Sequence, residues 1–361
     1  MIYDEKMNEK IEELKKKDNL IILGIESSCD ETSVAVVING KKVLSNVVST
    51  QIPIHAQYGG VVPEIASRNH INNISFVYKQ ALADAGISEK DIDAVAVTYG
   101  PGLVGALLVG LNYAKGLAYG LGVPLVPVNH IAGHICANFI DFPQLKPPFV
   151  CLIVSGGHTA IVLQKSYTEH ELFGSTLDDA VGESFDKVAR VLGLKYPGGP
   201  MVDKLAKDGE NNITFCKSHN FDNYYDCSYS GLKTAVINYV NHCKQKNEEY
   251  NINDVCKSFE CQAFDDLIEK TITACKQSGQ NKIALAGGVG ANSYLREQIT
   301  LRAKKENIEV YFPQMSLCGD NGAMIASAGY FKLKFGDVQS NISINAQPTI
   351  PLDSNKSFLA K

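Results

Sequence analysis

Several features are missing from this 361-residue sequence, and each absence excludes a class of protein. No apolar run reaches the ~18 residues that a membrane-spanning helix needs, so no membrane segment is expected. The first 19 residues carry eleven charged side chains and no apolar segment, which argues against a secretory signal. None of the ten cysteines lies in a Cys-x-x-Cys pair, and without an export signal this favours reduced thiols in a cytoplasmic protein.

An excess of positive charge is also missing. The net charge is −5 at pH 7, which argues against binding a polyanion over the whole surface but leaves room for one local basic patch. Hydrophobic residues make up 45% and charged residues 20% of the chain, as in ordinary folded proteins. The length alone predicts about two domains.

One order of elements occurs twice along the chain. The first copy has an apolar strand, a polar turn, a hairpin marked by Asn39-Gly40, a helix, and a strand that runs into a glycine turn and a second helix; these elements fall at 20–25, 26–32, 33–48, 67–85, 92–98, 100–102 and 105–120. The second copy has its strands at 149–154, 160–163, 171–173 and 282–286, the last running into the glycine turn 287–290. This repetition predicts a duplicated α/β fold whose two lobes face each other across a cleft.

The expected organisation follows from this repetition. We expect a charged, solvated helical extension at 1–19, a first lobe at 20–127, a second lobe at 128–335 with a helical insertion at about 177–280, and a C-terminal tail at 336–361.

Two histidines four residues apart, His130 and His134, form the first candidate site. At this spacing both side chains lie on one face of a helix, which suits two imidazoles on one metal ion, although two partly exposed helix histidines are the alternative. Ile131 stands where zinc proteases have a glutamate, so the motif has no built-in base. Asp320 is the best third ligand, or else a helix cap. Two histidines and a carboxylate suit iron(II) or zinc.

Glycine-rich turns form the second candidate site. They lie at 154–159, 197–200 and 287–292, and none is a Walker A sequence. Such turns can present backbone N–H groups to a phosphate, although most glycine turns are only tight turns. Three of them in one duplicated chain favour nucleotide binding.

Acidic residues form the third and fourth candidates. Asp186 lies on a charged helix with Glu183, and it either reaches a ribose hydroxyl or belongs to a solvated face. Asp30 and Glu31 follow the first strand, where carboxylates either act as a base or serve as ordinary turn residues.

Taken in order, the motifs of residues 20–335 resemble the TsaD family of bacterial tRNA adenosine threonylcarbamoyltransferases. The residues that carry the resemblance lie at 24–32, 58–68, 100–103, 130–134, 154–159, 196–200, 228–234 and 286–289. The resemblance implies a duplicated actin-like ATPase (ASKHA) fold with two lobes around a nucleotide cleft. It implies transfer of a threonylcarbamoyl group from threonylcarbamoyl-AMP to the exocyclic amine of adenosine 37 in tRNAs that read codons beginning with A.

The resemblance also assigns roles to particular residues. It places one divalent metal ion, with iron(II) favoured and zinc as the alternative, on His130, His134 and Asp320. It places Asp30 and Glu31 near the reacting centre. The adenylate-binding positions that it implies are Ile153, Val154, Ser155, Gly156, Gly157, Asp186, Gly199, Asp203 and Asn292.

The partners implied by the resemblance are tRNA, a shorter paralogue (TsaB) and a P-loop ATPase (TsaE). The tRNA requires a basic surface, for which the candidates are Arg68, Lys187, Arg190, Lys195 and Lys233. Two alternative functions stay open at this point. One is a metalloprotease, and the other is an ATPase of the sugar-kinase or chaperone kind with the same fold.

Overall fold

The computed structural model describes residues 2–216 and 221–352. The strands of the described ranges are β1 (Ile21–Glu26), β2 (Glu31–Ile38), β3 (Lys42–Thr50), β4 (Ala94–Gly100), β5 (Leu125–Asn129), β6 (Phe149–Val154), β7 (Thr159–Gln164), β8 (His170–Ser175), β9 (Lys282–Ala286) and β10 (Glu309–Tyr311). The α-helices are α1 (Ile2–Leu14), α2 (Ile52–His55), α3 (Pro63–Ala85), α4 (Val104–Leu121), α5 (His130–Asp141), α6 (Val181–Val191), α7 (Gly198–Ala206), α8 (Ser230–Lys246), α9 (Ile252–Gln277), α10 (Ser293–Lys305), α11 (Met315–Cys318) and α12 (Gly322–Phe335).

The strands form two five-stranded sheets of identical topology. The first has the order β3-β2-β1-β4-β5 and the second the order β10-β9-β6-β7-β8. In chain order, the first three strands of each sheet pair antiparallel with one another. The fourth and fifth strands run parallel to the first strand. The duplication predicted from the order of elements is therefore confirmed.

The two edge strands β5 and β10 are absent from the sequence-based prediction. β5 contains Pro127, which an edge strand tolerates because one side of it has no neighbouring strand to receive an N–H. β10 has only three residues and lies partly exposed, so it shows no apolar run.

Alternating side chains bury both faces of each sheet. In β1, Ile22 contributes to the core between the two sheets, whereas its neighbour Leu23 contributes to the core beneath α3 and α4. In β6, Cys151 faces the same central core and Leu152 faces the core beneath the helices α6 to α10. The continuous apolar runs read in the sequence are thus strands covered on both faces.

The last helix, α12, packs against the first sheet although its residues lie in the range predicted for the second lobe. It lies on β1, β2 and β4 and also contacts α5. Close approach requires glycine here, since a Cβ at Gly24 would lie 2.2 Å from the carbonyl oxygen of Gly322. The helix therefore connects the two halves of the molecule.

The N-terminal helix corrects one expectation, because α1 is not a solvated extension. Ile11 and Leu14 are buried in the central core, and the hydroxyl of Tyr3 donates to the carbonyl oxygen of Val123 at 2.6 Å. The charged residues of α1 lie on its outer face. Their large number in residues 1–19 led to the expectation of a solvated helix.

The C-terminal tail runs back over the first sheet. The N–H of Gln347 donates to the carbonyl oxygen of Tyr99, and the N–H of Gly102 donates to that of Pro348. Residues 353–361 of the predicted tail lie outside the described residues. Within the two described ranges, every helix is too short or too polar to cross a membrane.

Candidate active site

The helix α5 starts at His130 because Asn129 caps it. The Asn129 side chain accepts from the backbone N–H of Ile131 at 2.9 Å, as N-cap asparagines do. Since β5 runs directly into α5, both histidines lie at the carboxyl edge of the first sheet. The predicted helical spacing is therefore the observed one.

The structure brings His130, His134 and Asp320 together. Nε2 of His130 lies 3.4 Å and Nε2 of His134 lies 3.1 Å from Oδ1 of Asp320. One ligand atom from each residue lies within 4.8 Å of the other two, and both histidines are buried. This arrangement matches three protein ligands on one face of a cation.

The donor set fits a metal ion for a second reason. Neither ring nitrogen of His134 forms a hydrogen bond within the described residues, although Nε2 lies close to Asp320. A buried polar nitrogen without a partner is costly, so such atoms normally have one. A divalent cation bound at Nε2 would satisfy that nitrogen.

Glu26, which the sequence reasoning did not single out, orients His130. Its Oε2 lies 3.0 Å from Nδ1 of His130, and Thr98 donates its hydroxyl to the same oxygen. Burial alone would raise the pKa of Glu26, but His130 outweighs it and lowers that pKa. A carboxylate on Nδ1 fixes the tautomer that leaves Nε2 free for a metal ion. The sequence signal that could have found Glu26 is an acidic residue directly after the apolar run 20–25.

Asp30 and Glu31 lie beside the three candidate ligands. Asp30 is buried and Glu31 is half-buried, and the Thr50 hydroxyl donates to Oε1 of Glu31 at 3.0 Å. Burial, followed by the charges of Asp320 and Asp30, raises the pKa of Glu31 to about 9. Carboxylates crowded in this way favour a cation between them.

The turn after β6 leaves two glycines facing open space. A Cβ at Gly156 or Gly157 would meet no atom within 4 Å, whereas Ser155 closes the turn by accepting from the N–H of His158 at 3.0 Å. The predicted positions Ile153 and Val154 form the buried end of β6 beneath this turn. Gly287 packs against it with φ +93°, which requires glycine. The turn can therefore present backbone N–H groups to a ligand.

His158 belongs to the site and was missed as an individual residue. Burial, together with His130 and His134, lowers its pKa to about 4, which places a neutral imidazole beside the three candidate ligands. His158 thus belongs to the glycine turn and also lies close to the candidate metal ligands His130 and His134.

Asp186 holds the start of α7. Its Oδ1 accepts from the N–H of Gly198 at 2.7 Å, and Gly199 follows in the same turn. Burial raises the pKa of Asp186, the N–H groups of Gly198 and Gly199 oppose this rise, and the charge of Asp30 adds to it.

Asp203 and Asn292 lie in one network at the start of α10. Asp203 accepts from the Ser293 hydroxyl, while Asn292 caps the helix and donates its amide to Oε1 of Glu260 at 2.7 Å. Glu260 was missed because it lies in the middle of the long helix α9, where the sequence shows only an ordinary charged residue. Burial, followed by Asp203, raises its pKa to about 7.

The structure thus brings His130, His134 and Asp320 together with Glu31 and His158. Asp186 holds the start of α7, and Asp203 and Asn292 form a network of their own at the start of α10. The candidate metal ligands His130, His134 and Asp320 lie on the side of the first sheet, together with Asp30. The glycine turn, Asp186 and the Asp203–Asn292 network lie on the side of the second sheet. Such an arrangement can hold a nucleotide across the second sheet and a charged reacting group at the cation.

Comparison with known proteins gives the family. A family model described as TsaD, tRNA N6-adenosine threonylcarbamoyltransferase, matches residues 42–327. The Clostridium perfringens protein named tRNA N6-adenosine threonylcarbamoyltransferase is 57% identical over 336 residues, which cover 93% of this chain and 99% of that protein. A protein of the same name from Clostridium botulinum is 56% identical over 337 residues, with 93% and 99% covered.

Solved structures agree on the fold. Full-length HypF in its phosphate- and nucleotide-bound form matches with a TM-score of 0.59 at 15% identity, over 89% of this chain and 47% of that chain. Component A of (R)-2-hydroxyglutaryl-CoA dehydratase from Acidaminococcus fermentans gives 0.53 at 13% identity, over 87% and 99%. These likenesses confirm the duplicated actin-like ATPase fold. The chain belongs to the TsaD family, the tRNA N6-adenosine threonylcarbamoyltransferases.

Proposed function

We propose that this protein transfers the threonylcarbamoyl group of threonylcarbamoyl-AMP to the exocyclic amine of adenosine 37 in tRNAs that read codons beginning with A. The observation that carries the proposal is the meeting of three features in one cleft. These are the His130–His134–Asp320 cluster, the open glycine turn and the acidic pair Asp30–Glu31. Only an activated acyl-nucleotide uses all three.

The AMP part of the donor binds along the second sheet. The backbone of Ile153 to Gly157 receives the phosphate, because its glycines face open space. Asp186 and Gly199 bind near the ribose, and Asp203 and Asn292 lie at the far end of the nucleotide. The hydrogen bonds of these four residues hold them in place before any ligand arrives.

His130, His134 and Asp320 hold one divalent metal ion, and iron(II) is favoured over zinc because the set is two histidines and one carboxylate with open positions. When bound, the ion supplies Lewis-acid stabilisation of charge at the donor's carbamoyl-phosphate end. Glu26 keeps His130 in the tautomer that binds it.

The acidic pair serves the attacking amine. The amine nitrogen forms a bond to the carbamoyl carbon, the bond from that carbon to the phosphate oxygen breaks, and AMP leaves with the electron pair. Asp30 accepts the amine proton, and Glu31 lies beside it as a second acidic group. The donor is already activated, so this step consumes no further ATP.

Neither alternative function accounts for the site as well. A peptidase of the zinc type needs a glutamate beside its histidines as base, but Ile131 follows His130 and the nearby Glu26 is bonded to the other ring nitrogen. A kinase-like ATPase brings Mg²⁺ with its nucleotide instead of holding a metal ion on two histidines.

The protein acts in the cytoplasm with TsaB and TsaE as partners. Exposed apolar side chains on α3 and α4 support binding of a protein partner; they are Ile71, Phe76, Val104 and Leu108.

Reconstitution tests the function. Wild-type protein with both partners and preformed threonylcarbamoyl-AMP is expected to modify an unmodified tRNA carrying adenosine at position 37, but not the same tRNA with guanosine there. Nucleoside mass spectrometry measures the product. Absence of modified adenosine in the wild-type reaction would overturn the proposal.

Asp30→Asn tests the acidic pair in the same assay. The variant is expected to bind AMP like wild type and to transfer slowly under single-turnover conditions, because charge is lost while shape is kept. The exposed Asp208→Asn serves as the control. Transfer by Asp30→Asn at the wild-type rate would remove Asp30 from the chemistry.

A further inference from the structure

A cavity of about 420 Å³ lies between the two sides of the cleft, next to Asp186. One wall is the turn at 56–59, which precedes α3, and the other is the stretch 186–198 from α6 to α7. The walls approach closely, since a Cβ at Gly59 would lie 4.0 Å from Cδ of Arg190. Its size falls within the range of about 300–1,000 Å³ typical of small-molecule sites.

Two unpaired cations line this cavity. Of the five basic candidates for contact with tRNA, three lie in ion pairs: Lys187 with Glu183, Lys233 with Asp179, and Arg68 with Glu64. Arg190 and Lys195 form no ion pair with any acidic group of the described residues, and both line the cavity. On a chain of net charge −5, the lining of this cavity carries two cations against the single carboxylate of Asp186.

An aromatic ring lies on the same wall. Tyr196 is half-buried between Lys195 and the turn that Asp186 holds. The ring lines the cavity together with Asp186. Burial, followed by the charges of Asp30 and Asp186, raises the pKa of the Tyr196 hydroxyl. A planar group lying against Tyr196 in this cavity would therefore lie beside Asp186.

We propose that this cavity receives the acceptor adenosine of the tRNA, with the base against Tyr196 and the flanking phosphates on Arg190 and Lys195. The inference rests on the proposed function. A base that must react at its exocyclic amine has to leave the RNA stack, and proteins hold such bases against aromatic rings. Arginine and lysine neutralise the phosphates on either side. The donor nucleotide, which borders the cavity at Asp186, is the competing occupant.

The double variant Arg190→Gln/Lys195→Gln tests the cations. It is expected to bind AMP with wild-type affinity by calorimetry and to bind a labelled anticodon stem-loop roughly tenfold more weakly by fluorescence anisotropy. The slope of log affinity against log salt concentration should fall by about 1.4, because each phosphate contact to a single strand contributes about 0.7. Lys304→Gln/Lys305→Gln, in the exposed last turn of α10, removes the same charge away from the cleft and should change neither affinity.

Tyr196 tests the placement of the base. Tyr196→Leu should slow single-turnover transfer at saturating tRNA by roughly tenfold or more, since a stacked base loses its platform, whereas Tyr196→Phe should keep the wild-type rate. AMP affinity should be unchanged in both.

Two results would overturn the inference. If Arg190→Gln/Lys195→Gln binds the stem-loop like its lysine control, the tRNA does not use these cations. If it loses AMP affinity together with stem-loop affinity, the cavity holds the donor. Stem-loop binding is measured without the transfer reaction. It therefore tests the inference separately from the proposed function, which is overturned only by the absence of modified adenosine in the transfer assay.

Discussion

At the scale of single residues, the site depends on groups whose partners lie far away in the chain. His130 and His134 could be paired from sequence because helix geometry fixes a spacing of four residues. Asp320 could be proposed as the third ligand, but its position before α12 left a helix cap as the alternative. Glu26, His158 and Glu260 were missed because their significance comes from neighbours more than 20 residues away. Local sequence shows an acidic residue or a histidine at these positions but not the partner that it contacts.

The metal assignment gives the first prediction. His134→Ala and Asp320→Ala are each expected to lose bound metal yet keep the wild-type unfolding temperature within a few degrees, because the hydrophobic core does not include these side chains. Elemental analysis and a thermal melt measure the two properties.

Two further variants sharpen this test. Glu26→Gln keeps all three candidate ligands and should weaken metal binding about 10–100-fold, as changes of a partner that orients a ligand typically do. The exposed His242→Ala should bind metal like wild type. Full metal occupancy in both His134→Ala and Asp320→Ala would show that these residues are not the ligands.

Glu260 gives a prediction about pH. Its pKa in the folded protein is raised from 4.5 to about 7, so the native state holds a proton that the unfolded chain releases earlier. Its contribution to stability is complete below about pH 4.5 and is lost as the pH rises through 7. At pH 8, Glu260→Gln is therefore expected to be more stable than wild type, by at most about 3 kcal/mol at about 1.4 kcal/mol per pKa unit.

Urea unfolding at pH 5 and pH 8 measures this effect. The gain at pH 8 should largely vanish at pH 5, and the exposed Glu297→Gln should show no such difference. A gain of equal size at both pH values would mean that proton binding by Glu260 is not its cause.

At the scale of secondary structure, apolar periodicity predicted the interior strands and the helices α3 and α4 close to their observed bounds. It failed for β5 and β10, whose short length and edge position remove the pattern, and for α1, whose buried stripe is narrow. It also could not show that α12 packs on the first sheet, because packing between distant elements leaves no local periodicity. The lobe bounds 20–127 and 128–335 stay a prediction.

The packing of α12 gives a prediction about two glycines. A Cβ at Gly329 would lie 2.4 Å from Cβ of Ala96, so Gly329→Ala should destabilise the protein by about 1–3 kcal/mol through overpacking. Gly116→Ala in α4 meets no atom within 4 Å and should stabilise it by about 0.5–1 kcal/mol, since alanine favours helix. Urea unfolding of the two variants should show opposite signs; equal signs would contradict the close contact of α12 with β4.

The helix α1 gives the second prediction at this scale. Ile11 is 1% exposed within the central core, so Ile11→Ala should lower the free energy of unfolding by about 2–5 kcal/mol. Glu13→Ala, on the exposed face of the same helix, should change it little. Similar unfolding curves for both variants would mean that α1 is a solvated extension after all.

At the scale of the whole molecule, the duplication explains why one cleft collects all the candidate residues. The two sheets have the same strand order, so equivalent turns follow equivalent strands. The order of elements in the sequence predicted this symmetry, and the actin-like ATPase fold confirms it. The contents of the two halves then differ: His130 and Asp30 lie on the first, and the turn at 154–159 with His158, together with Asp186 and Asp203, lies on the second.

The most direct test of the central claim is nucleoside mass spectrometry of tRNA from cells depleted of this protein. We predict that threonylcarbamoyladenosine is lost from tRNAs that read codons beginning with A, that wild-type protein and His242→Ala restore it, and that Asp320→Ala does not. Persistence of the modified nucleoside at its normal level after complete depletion would contradict the account.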